Sequence, residues 1–253
     1  MAQRFMWYEL LTTDPRAAER FYPAVVGWTV QKIGEGPDAY AIYDAGRGGV
    51  AGMPPAAHVP AGPNWHGYVG VPDVDACAEK VLASGGNVHV HPHDLPGVGR
   101  AAMVDDPQGV VFTLFKGNQP EGPPTSATNE PGYVGWHELV TTVEPDAAFP
   151  WYAEMFGWVK LDSFDMGPAG QYLLWGLEPG GPQMGGMMMR QNADTRPHWN
   201  FYFQVAGIDA GAERVKAAGG QVTNGPHEVP GGSWILEGLD PQGAPFALVS
   251  TTK

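Results

Sequence analysis

Apolar and polar positions along the chain form an order of elements that recurs. Residues 6–13, MWYELLTT, combine aromatic and branched residues with partial alternation, which predicts a strand. The segment DPRAAERFYPAVVG follows at 14–27, and its Asp14-Pro15 start and Gly27 end are typical helix boundaries. Pro23 lies inside this helix, where proline is expected to shorten or kink it. Short strand-like runs broken by glycine come next.

The same order begins again at residue 65. WHGYVGVP predicts a strand, and DVDACAEKVLASGG predicts a helix that begins at Asp73 and ends at Gly85-Gly86. The runs AAMVDDPQG and VVFTLFK then predict further strands. Each of these segments therefore predicts one module of the form strand, helix, about three strands (βαβββ).

The whole first half recurs in the second half. Trp7 matches Trp136, Glu9 matches Glu138, and the turn Asp-Pro-Gln-Gly occurs at 106–109 and again at 240–243. The segment between the halves is rich in Pro, Gly, Ser, Thr and Asn, which is typical of a linker. The pattern predicts an α+β protein of four βαβββ modules, arranged as a domain at 1–117, a linker at 118–132 and a domain at 133–253.

Composition narrows the classes of function. The chain has 253 residues, of which 43% are hydrophobic, and a formal net charge of −13, which disfavours binding to nucleic acid. No apolar run reaches the roughly 18 residues that a membrane helix needs. Cys77 is the single cysteine, so no internal disulfide can form. The N-terminus MAQRFMWYELL has no signal-peptide pattern, and we expect a cytoplasmic protein with no membrane partner.

The four modules, with the motifs ELLTTDPRAAERFY…GW, ELVTTVEPDAAFPWY…GW and the two DPQG turns, resemble the vicinal oxygen chelate superfamily. That superfamily includes glyoxalase I, bleomycin-resistance proteins and extradiol dioxygenases, and the chain looks most like its two-domain hydroxylase-like branch. The resemblance implies that two modules curl into one half-barrel around a cleft for a small molecule. It therefore implies two tandem half-barrel domains.

The resemblance also implies where metal ligands would lie. Metal-using members place one on the first strand of each module, and a Glu on the last strand, four residues after the Asp-Pro-x-Gly turn. Here the last-strand positions hold Thr113 and Ala247, so the carboxylate is missing twice. His66 matches a first-strand ligand, whereas its counterpart in the second domain is Asn200. Because an open catalytic site typically needs three protein ligands, we expect no metal cofactor.

An irregular metal site is the alternative. Its candidate ligands are His66, His137, Glu9 and Glu138, and the metal would be a divalent Fe, Zn, Ni or Mn. Glu9 and Glu138 could also act as a base with a raised pKa, or be structural carboxylates that hydrogen-bond a neighbouring strand. His66 beside Trp65 could donate to a ligand or be a satisfied core residue.

Two further clusters have simpler explanations. His89, His91 and His93 in HVHPH could grip a metal, but an edge strand explains them better, because the first two match Thr223 and Gly225. The run MGGMMM at 184–189 is better explained as an apolar wall or core than as a soft-metal site.

Aromatic residues recur on the first strands of the modules and suit a flat or apolar ligand, although core packing would explain them equally well. With the polar residues beside them they form the predicted ligand cleft: Trp7, Glu9, Trp65, His66, Tyr68, Trp136, Glu138, Trp199, Asn200 and Tyr202. The sequence designates no catalytic residue.

The sequence predicts a small-molecule-binding protein with a degenerate metal site, of the resistance, sequestration or sensing type. One alternative is a metal-dependent enzyme, either a glyoxalase-type lyase or a dioxygenase. A second alternative is a pseudo-enzyme that acts through protein partners. Both a monomer and a homodimer are compatible with the internal duplication.

Overall fold

A computed structural model describes residues 3–36, 39–55, 62–118 and 129–253 of the chain. Residues 119–128 of the predicted linker lie outside the described residues. Within the described part, no helix is both long and apolar enough to cross a membrane.

The first half of the chain forms one sheet. Its first module contains β1 (Phe5–Leu11), α1 (Pro15–Val26), β2 (Thr29–Ile33), β3 (Tyr40–Asp44) and β4 (Gly49–Met53). Its second module contains β5 (Asn64–Gly70), α2 (Val74–Ala83), β6 (Asn87–Leu95), β7 (Gly99–Asp105) and β8 (Val111–Gly117). The strand order among these residues is β2-β3-β4-β1-β5-β8-β7-β6.

The second half forms a second sheet of the same design. Its first module contains β9 (Val134–Thr141), α3 (Pro145–Phe156), β10 (Val159–Asp165), β11 (Gln171–Gly176) and β12 (Gln183–Met189). Its second module contains β13 (His198–Gln204), α4 (Ile208–Ala217), β14 (Gln221–Glu228), β15 (Trp234–Leu239) and β16 (Pro245–Ser250). The order β10-β11-β12-β9-β13-β16-β15-β14 repeats that of the first sheet. The prediction of an α+β fold of four βαβββ modules is therefore confirmed.

The helix boundaries follow the residues that predicted them. The Asp14 side chain accepts a hydrogen bond from the backbone N–H of Ala17 at 3.1 Å and so caps α1. Gly27 ends α1 with a φ of +93°, which a residue with a Cβ rarely adopts. Proline was expected to shorten or kink the first helix of each half; α1 runs through Pro23 and α3 runs through Pro150, each for 12 residues, so neither helix ends at its proline.

The described residues divide into two compact units that do not follow the chain order of the modules. Unit one consists of the described residues within Met1–Met6, Gly67–Gly122 and His137–Trp199. Unit two consists of those within Trp7–His66, Pro123–Trp136 and Asn200–Lys253. Unit one thus contains most of the second and third modules, and unit two contains most of the first and fourth modules. Each unit therefore combines one module from each predicted domain. The domain boundaries at 117 and 133 stay a prediction.

Each unit has its own aromatic core beneath a helix. In unit one, the rings of Trp158 and Trp175 stack with centroids 3.9 Å apart, and Trp199 lies edge-on to Tyr152 of α3. In unit two, Tyr22 of α1 lies edge-on to Trp65 at 5.0 Å. Such aromatic pairs add stability beyond the burial of their surface.

The repeated Asp-Pro-Gln-Gly turns bind those helices. In unit one, the Tyr152 hydroxyl donates to Asp106 Oδ2 at 2.8 Å. In unit two, the Tyr22 hydroxyl donates to Asp240 Oδ2 at 3.1 Å. Burial raises the pKa of both carboxyl groups, although backbone N–H donors within each turn oppose that shift. Each copy of the turn therefore binds a helix of another module: the turn at Asp106 binds α3, and the turn at Asp240 binds α1.

Candidate functional site

Alternation along the first strands decides which side chains pack beneath the helices and which lie on the opposite face of the sheet. On β1, Tyr8 and Leu10 are fully buried, whereas Trp7 and Glu9 keep part of their surface exposed. Successive strand residues point to opposite faces, so Trp7 and Glu9 share the face away from the core. The polar residues of the predicted cleft, namely Glu9, His66, Glu138 and Asn200, lie at strand positions that point to this second face.

In the first module, a tyrosine on β3 reaches a glutamate on β1. The Tyr40 hydroxyl donates to Glu9 Oε1 at 2.6 Å, and Trp7 Nε1 donates to the Tyr40 oxygen at 3.1 Å. Gly52 of β4 is the register partner of Glu9 and lies under this bond. A Cβ at Gly52 would overlap the Tyr40 hydroxyl, so glycine is what allows the tyrosine to cross the strand.

The third module repeats this arrangement. The Tyr172 hydroxyl on β11 donates to Glu138 Oε2 on β9 at 2.8 Å. Gly186 of β12 pairs with Glu138, and a Cβ there would overlap the Tyr172 ring. Glu138 is 7% exposed, so the hydroxyl contributes to satisfying a buried carboxylate.

The fourth module contains the same kind of bond, but here the tyrosine is on the first strand of the module and the glutamate is on the third. The Tyr202 hydroxyl on β13 donates to Glu237 Oε1 on β15 at 3.2 Å, and Asn224 Nδ2 donates to Oε2 at 3.2 Å. Ala247 of β16 is the register partner of both Tyr202 and Glu237. We call these three bonds the tyrosine–glutamate bridges: Tyr40–Glu9, Tyr172–Glu138 and Tyr202–Glu237.

The second module has no glutamate at the corresponding register. Thr113 of β8 is paired with Tyr68 on β5 and with Met103 on β7. The Tyr68 ring lies edge-on to Phe115, with centroids 6.0 Å apart. This module therefore has an aromatic and apolar character where the other three have a bridge.

Two histidines from the predicted site are deeply buried. Burial lowers the pKa of His66 and of His137 to about 4, so both imidazoles are neutral at neutral pH. His137 Nδ1 lies 2.9 Å from the Met184 carbonyl oxygen and donates to it, and the ring stacks on Phe5 at 4.9 Å. His137 thus lies with the core residues, on the opposite face from Glu138.

Two tryptophans that were predicted in the cleft lie in the cores instead. Trp65 is 7% exposed, and its Nε1 donates to the Tyr22 hydroxyl at 2.9 Å. Trp199 is 6% exposed and packs beside Tyr152. Each is one residue from a position on the other face, namely His66 and Asn200, and a single step along a strand reverses the face.

The remaining predicted residues are divided between the units. Trp7, Glu9, His66, Trp136, Asn200 and Tyr202 belong to unit two, and Tyr68 and Glu138 belong to unit one. In unit two, Trp136 is half-buried and packs against the cluster of Tyr202, Ala247 and Val249.

Sequence reasoning missed Tyr40, Tyr172, Asn224 and Glu237. A signal for the two tyrosines was present, because Tyr40 is the first and Tyr172 the second residue of a strand that precedes a glycine-containing strand, in YAIYDAGRGGVAG and YLLWGLEPGGPQMGG. No equivalent signal marked Glu237, because its role depends on which residues β15 has beside it.

The other polar features of the sequence lie elsewhere. His89 Nε2 on edge strand β6 is 2.9 Å from Asp105 Oδ2. A cavity of about 540 Å³ lies at the β6–β7 turn and is lined in part by Arg100 and Lys116. The Arg100 guanidinium is already paired with Asp75 and Asp94. None of the bridge residues lines this cavity.

The two sheets and the three bridges define a tandem βαβββ protein whose sheets carry tyrosine–glutamate hydrogen bonds on one face. The family model of the Glyoxalase/Bleomycin resistance protein/Dioxygenase superfamily matches residues 4–114 and 136–248. The chain belongs to this superfamily, the vicinal oxygen chelate proteins, with one matched segment in each half.

Relatives in sequence cover nearly the whole chain. The Mycobacterium tuberculosis protein CFP32, whose name refers to a glyoxylase, is 33% identical over 248 residues, which are 96% of this chain and 93% of that protein. The anthracycline biosynthesis protein DauV of Streptomyces sp. (strain C5) is 31% identical over 258 residues, which are 96% of this chain and 91% of that protein.

Solved structures share the fold at low sequence identity. The Mn(II)-bound glyoxalase from Novosphingobium aromaticivorans is 16% identical with a TM-score of 0.66, over 100% of this chain and 83% of that one. An extradiol ring-cleaving dioxygenase from B. fuscum is 16% identical with a TM-score of 0.69, over 100% of this chain and 72% of that one.

Two of the positions that the resemblance assigns to metal ligands hold Thr113 and Ala247. Thr113 and Ala247 bring no carboxylate to the last strands, and the nearby carboxylates of Glu9, Glu138 and Glu237 accept bonds from tyrosine hydroxyls. Among the described residues, no three His, Cys, Asp or Glu side chains are grouped so that they could hold a metal ion. Catalytic metals typically need three such ligands.

Proposed function

We propose that this chain is a small-molecule-binding member of the superfamily with a degenerate metal site, of the resistance, sequestration or sensing type. The observation that carries the proposal is the bonding of the three glutamates. Each carboxylate beside a small last-strand residue already accepts a tyrosine hydroxyl, at 2.6 to 3.2 Å. A metal would have to displace those donors, and within the described part of the chain no three His, Cys, Asp or Glu side chains are grouped to hold it.

The proposed ligand is flat and aromatic. DauV is named for anthracycline biosynthesis, and anthracyclines are planar fused-ring molecules. In unit two, Trp7 and Trp136 keep part of their surface exposed and could stack on such a ring system; in unit one, Tyr68 is exposed in part and could do the same separately. Aromatic walls with a few fixed polar groups are typical of sites for small molecules.

A metal-dependent enzyme is the second candidate function. CFP32 carries a name that refers to a glyoxylase, and one structural neighbour is a Mn(II)-bound glyoxalase. A lyase or dioxygenase with an irregular site would need a cluster of metal ligands. Among the described residues, His, Cys, Asp and Glu side chains form no such cluster of three. A pseudo-enzyme that acts through protein partners is a weaker third candidate.

Metal content and ligand binding together test the proposal. The protein is purified without a His tag from cells grown in metal-rich medium, and its Fe, Ni, Zn and Mn are measured by elemental mass spectrometry. A dihydroxyanthraquinone is then titrated while tryptophan fluorescence is followed. We expect each metal far below one per chain and saturable quenching. One metal per chain, or per half of the chain, would contradict the proposal and support the enzyme.

A further inference from the structure

Unit two contains a small apolar surface around Ala247, the last-strand position where the resemblance leads one to expect a carboxylate. Tyr202, Ala247 and Val249 form a buried cluster on β13 and β16. Trp136 and Ile235 pack against this cluster and are themselves only partly buried. Each keeps part of its surface exposed, and together they form an aromatic and aliphatic wall over the buried Ala247.

A carboxylate borders this surface. Glu237 lies two residues from Ile235 on β15, so the two side chains share one face of the strand. Its side chain is only partly buried, and each of its oxygens accepts one hydrogen bond of 3.2 Å, Oε1 from the Tyr202 hydroxyl and Oε2 from Asn224 Nδ2. Because a carboxylate offers about four acceptor positions, Glu237 retains capacity for a further donor.

The charge at this surface is negative. Trp136, Tyr202, Asn224 and Ile235 are uncharged, so Glu237 sets the charge at the edge of the wall. A carboxylate beside an aromatic face favours a cation, through a charge-assisted hydrogen bond and through attraction to the ring. The net charge of −13 favours the approach of a cation as well.

From this geometry we propose that Trp136, Ile235 and Glu237 form a subsite for an aromatic ligand that carries a protonated amine. The ring system stacks on Trp136, and the ammonium donates to the Glu237 carboxylate. Tyr202 is a positioning residue, since its hydroxyl holds one oxygen of Glu237. The inference rests on the proposed binding function and adds the class of ligand and the residue that selects it.

Two probes of matched shape test the subsite. One is 9-(methylaminomethyl)anthracene, which is cationic at pH 7, and the other is 9-anthracenemethanol, which is neutral. Both are titrated into the full chain while anthracene fluorescence anisotropy is followed. We expect the amine to bind about tenfold more tightly than the alcohol, as a charge-assisted hydrogen bond predicts.

Two variants identify the residue responsible. Glu237→Gln keeps an acceptor for Tyr202 and removes the charge, and we expect it to bring the two affinities together while the alcohol binds as before. Glu228→Gln removes the same charge from an exposed position on β14 and should preserve the preference. Thermal unfolding of both variants establishes that they fold.

Each outcome separates the subsite from the broader proposal. Equal binding of both probes to the natural chain, or an unchanged preference in Glu237→Gln, overturns the subsite and leaves the binding function standing. Binding of neither probe overturns the subsite and also counts against flat aromatic ligands as the proposed class.

Discussion

At the scale of single residues, two glycines make the tyrosine–glutamate bridges possible. Gly52 and Gly186 sit on last strands, directly under the bonds of Tyr40 and Tyr172. Their backbones do not adopt the left-handed conformation, so the requirement for glycine here comes from space alone. This is a close approach of a side chain to a backbone, which is one of the few reasons for a glycine inside a strand.

Gly186→Ala should therefore destabilise the protein. The new methyl group would overlap the Tyr172 ring, and moving that ring breaks its bond to the buried Glu138. We expect the free energy of unfolding to fall by about 1–3 kcal/mol, as measured by urea denaturation.

Two comparisons isolate the cause. Gly207→Ala adds a methyl group at the extended N-cap residue of α4, where it has only an ordinary contact, 3.4 Å from the Lys253 carbonyl oxygen; it should cost less than Gly186→Ala, because only the weaker capping by alanine is involved. In a Tyr172→Ala background, Gly186→Ala should cost less than it does alone, because the ring is already absent. Additive effects would show that the overlap is not the reason.

At the scale of elements, the Asp-Pro-Gln-Gly turns tie helices to strands of other modules. Within unit one, Asp106 also accepts the backbone N–H groups of Gln108 and Val110, at 2.8 and 2.9 Å. Gln108 Oε1 in turn accepts from the backbone N–H and the hydroxyl of Thr142. One short turn therefore holds both α3 and the end of β9.

Tyr152→Phe should loosen this connection. The phenol is buried, and its loss removes one donor from a buried carboxylate, which keeps the backbone N–H groups of Gln108 and Val110 and the Gln108 side-chain amide as donors. We expect a loss of about 1–3 kcal/mol in the free energy of unfolding, measured by urea denaturation.

Tyr22→Phe provides the matched comparison in unit two, where the bond to Asp240 is longer, at 3.1 Å. The Tyr22 hydroxyl also accepts a hydrogen bond from Trp65 Nε1 at 2.9 Å, so we expect a loss of similar or larger size there. If neither phenylalanine variant changes stability, the turns hold their helices through packing alone.

At the scale of the whole molecule, the two buried histidines couple stability to pH. The pKa of a histidine in an unfolded chain is about 6.5, and burial lowers the folded values of His66 and His137 to about 4. The folded state thus binds fewer protons than the unfolded state between these values. The free energy of unfolding therefore falls as the pH drops from about 6.5 towards 4.

We expect each histidine to contribute a loss of about 2 kcal/mol between pH 7 and pH 5. Chemical denaturation at both pH values measures this. In His66→Gln the loss should be smaller than in the natural chain by about that amount. His227→Gln, an exposed position, should leave the loss unchanged. A pH dependence that is the same in all three proteins would contradict the assignment to His66.

The sequence alone determined the architecture, because its duplication, helix caps and turn motifs are local and occur in both halves. The same local signals identified Glu9 and Glu138 as paired residues, and Thr113 and Ala247 as positions without a carboxylate. They did not resolve the face of Trp65 and Trp199, since shifting by one residue along a strand reverses the face and both faces here are rich in aromatics.

Only the tertiary structure decided what the glutamates bond to. Tyr40 and Glu9 are 31 residues apart, Tyr172 and Glu138 are 34 apart, and Tyr202 and Glu237 are 35 apart. These partners meet because each pair of strands flanks a third strand that carries Gly or Ala at the crossing point. Strand order and register are non-local, and they place each of these carboxylates within hydrogen-bonding distance of a tyrosine hydroxyl.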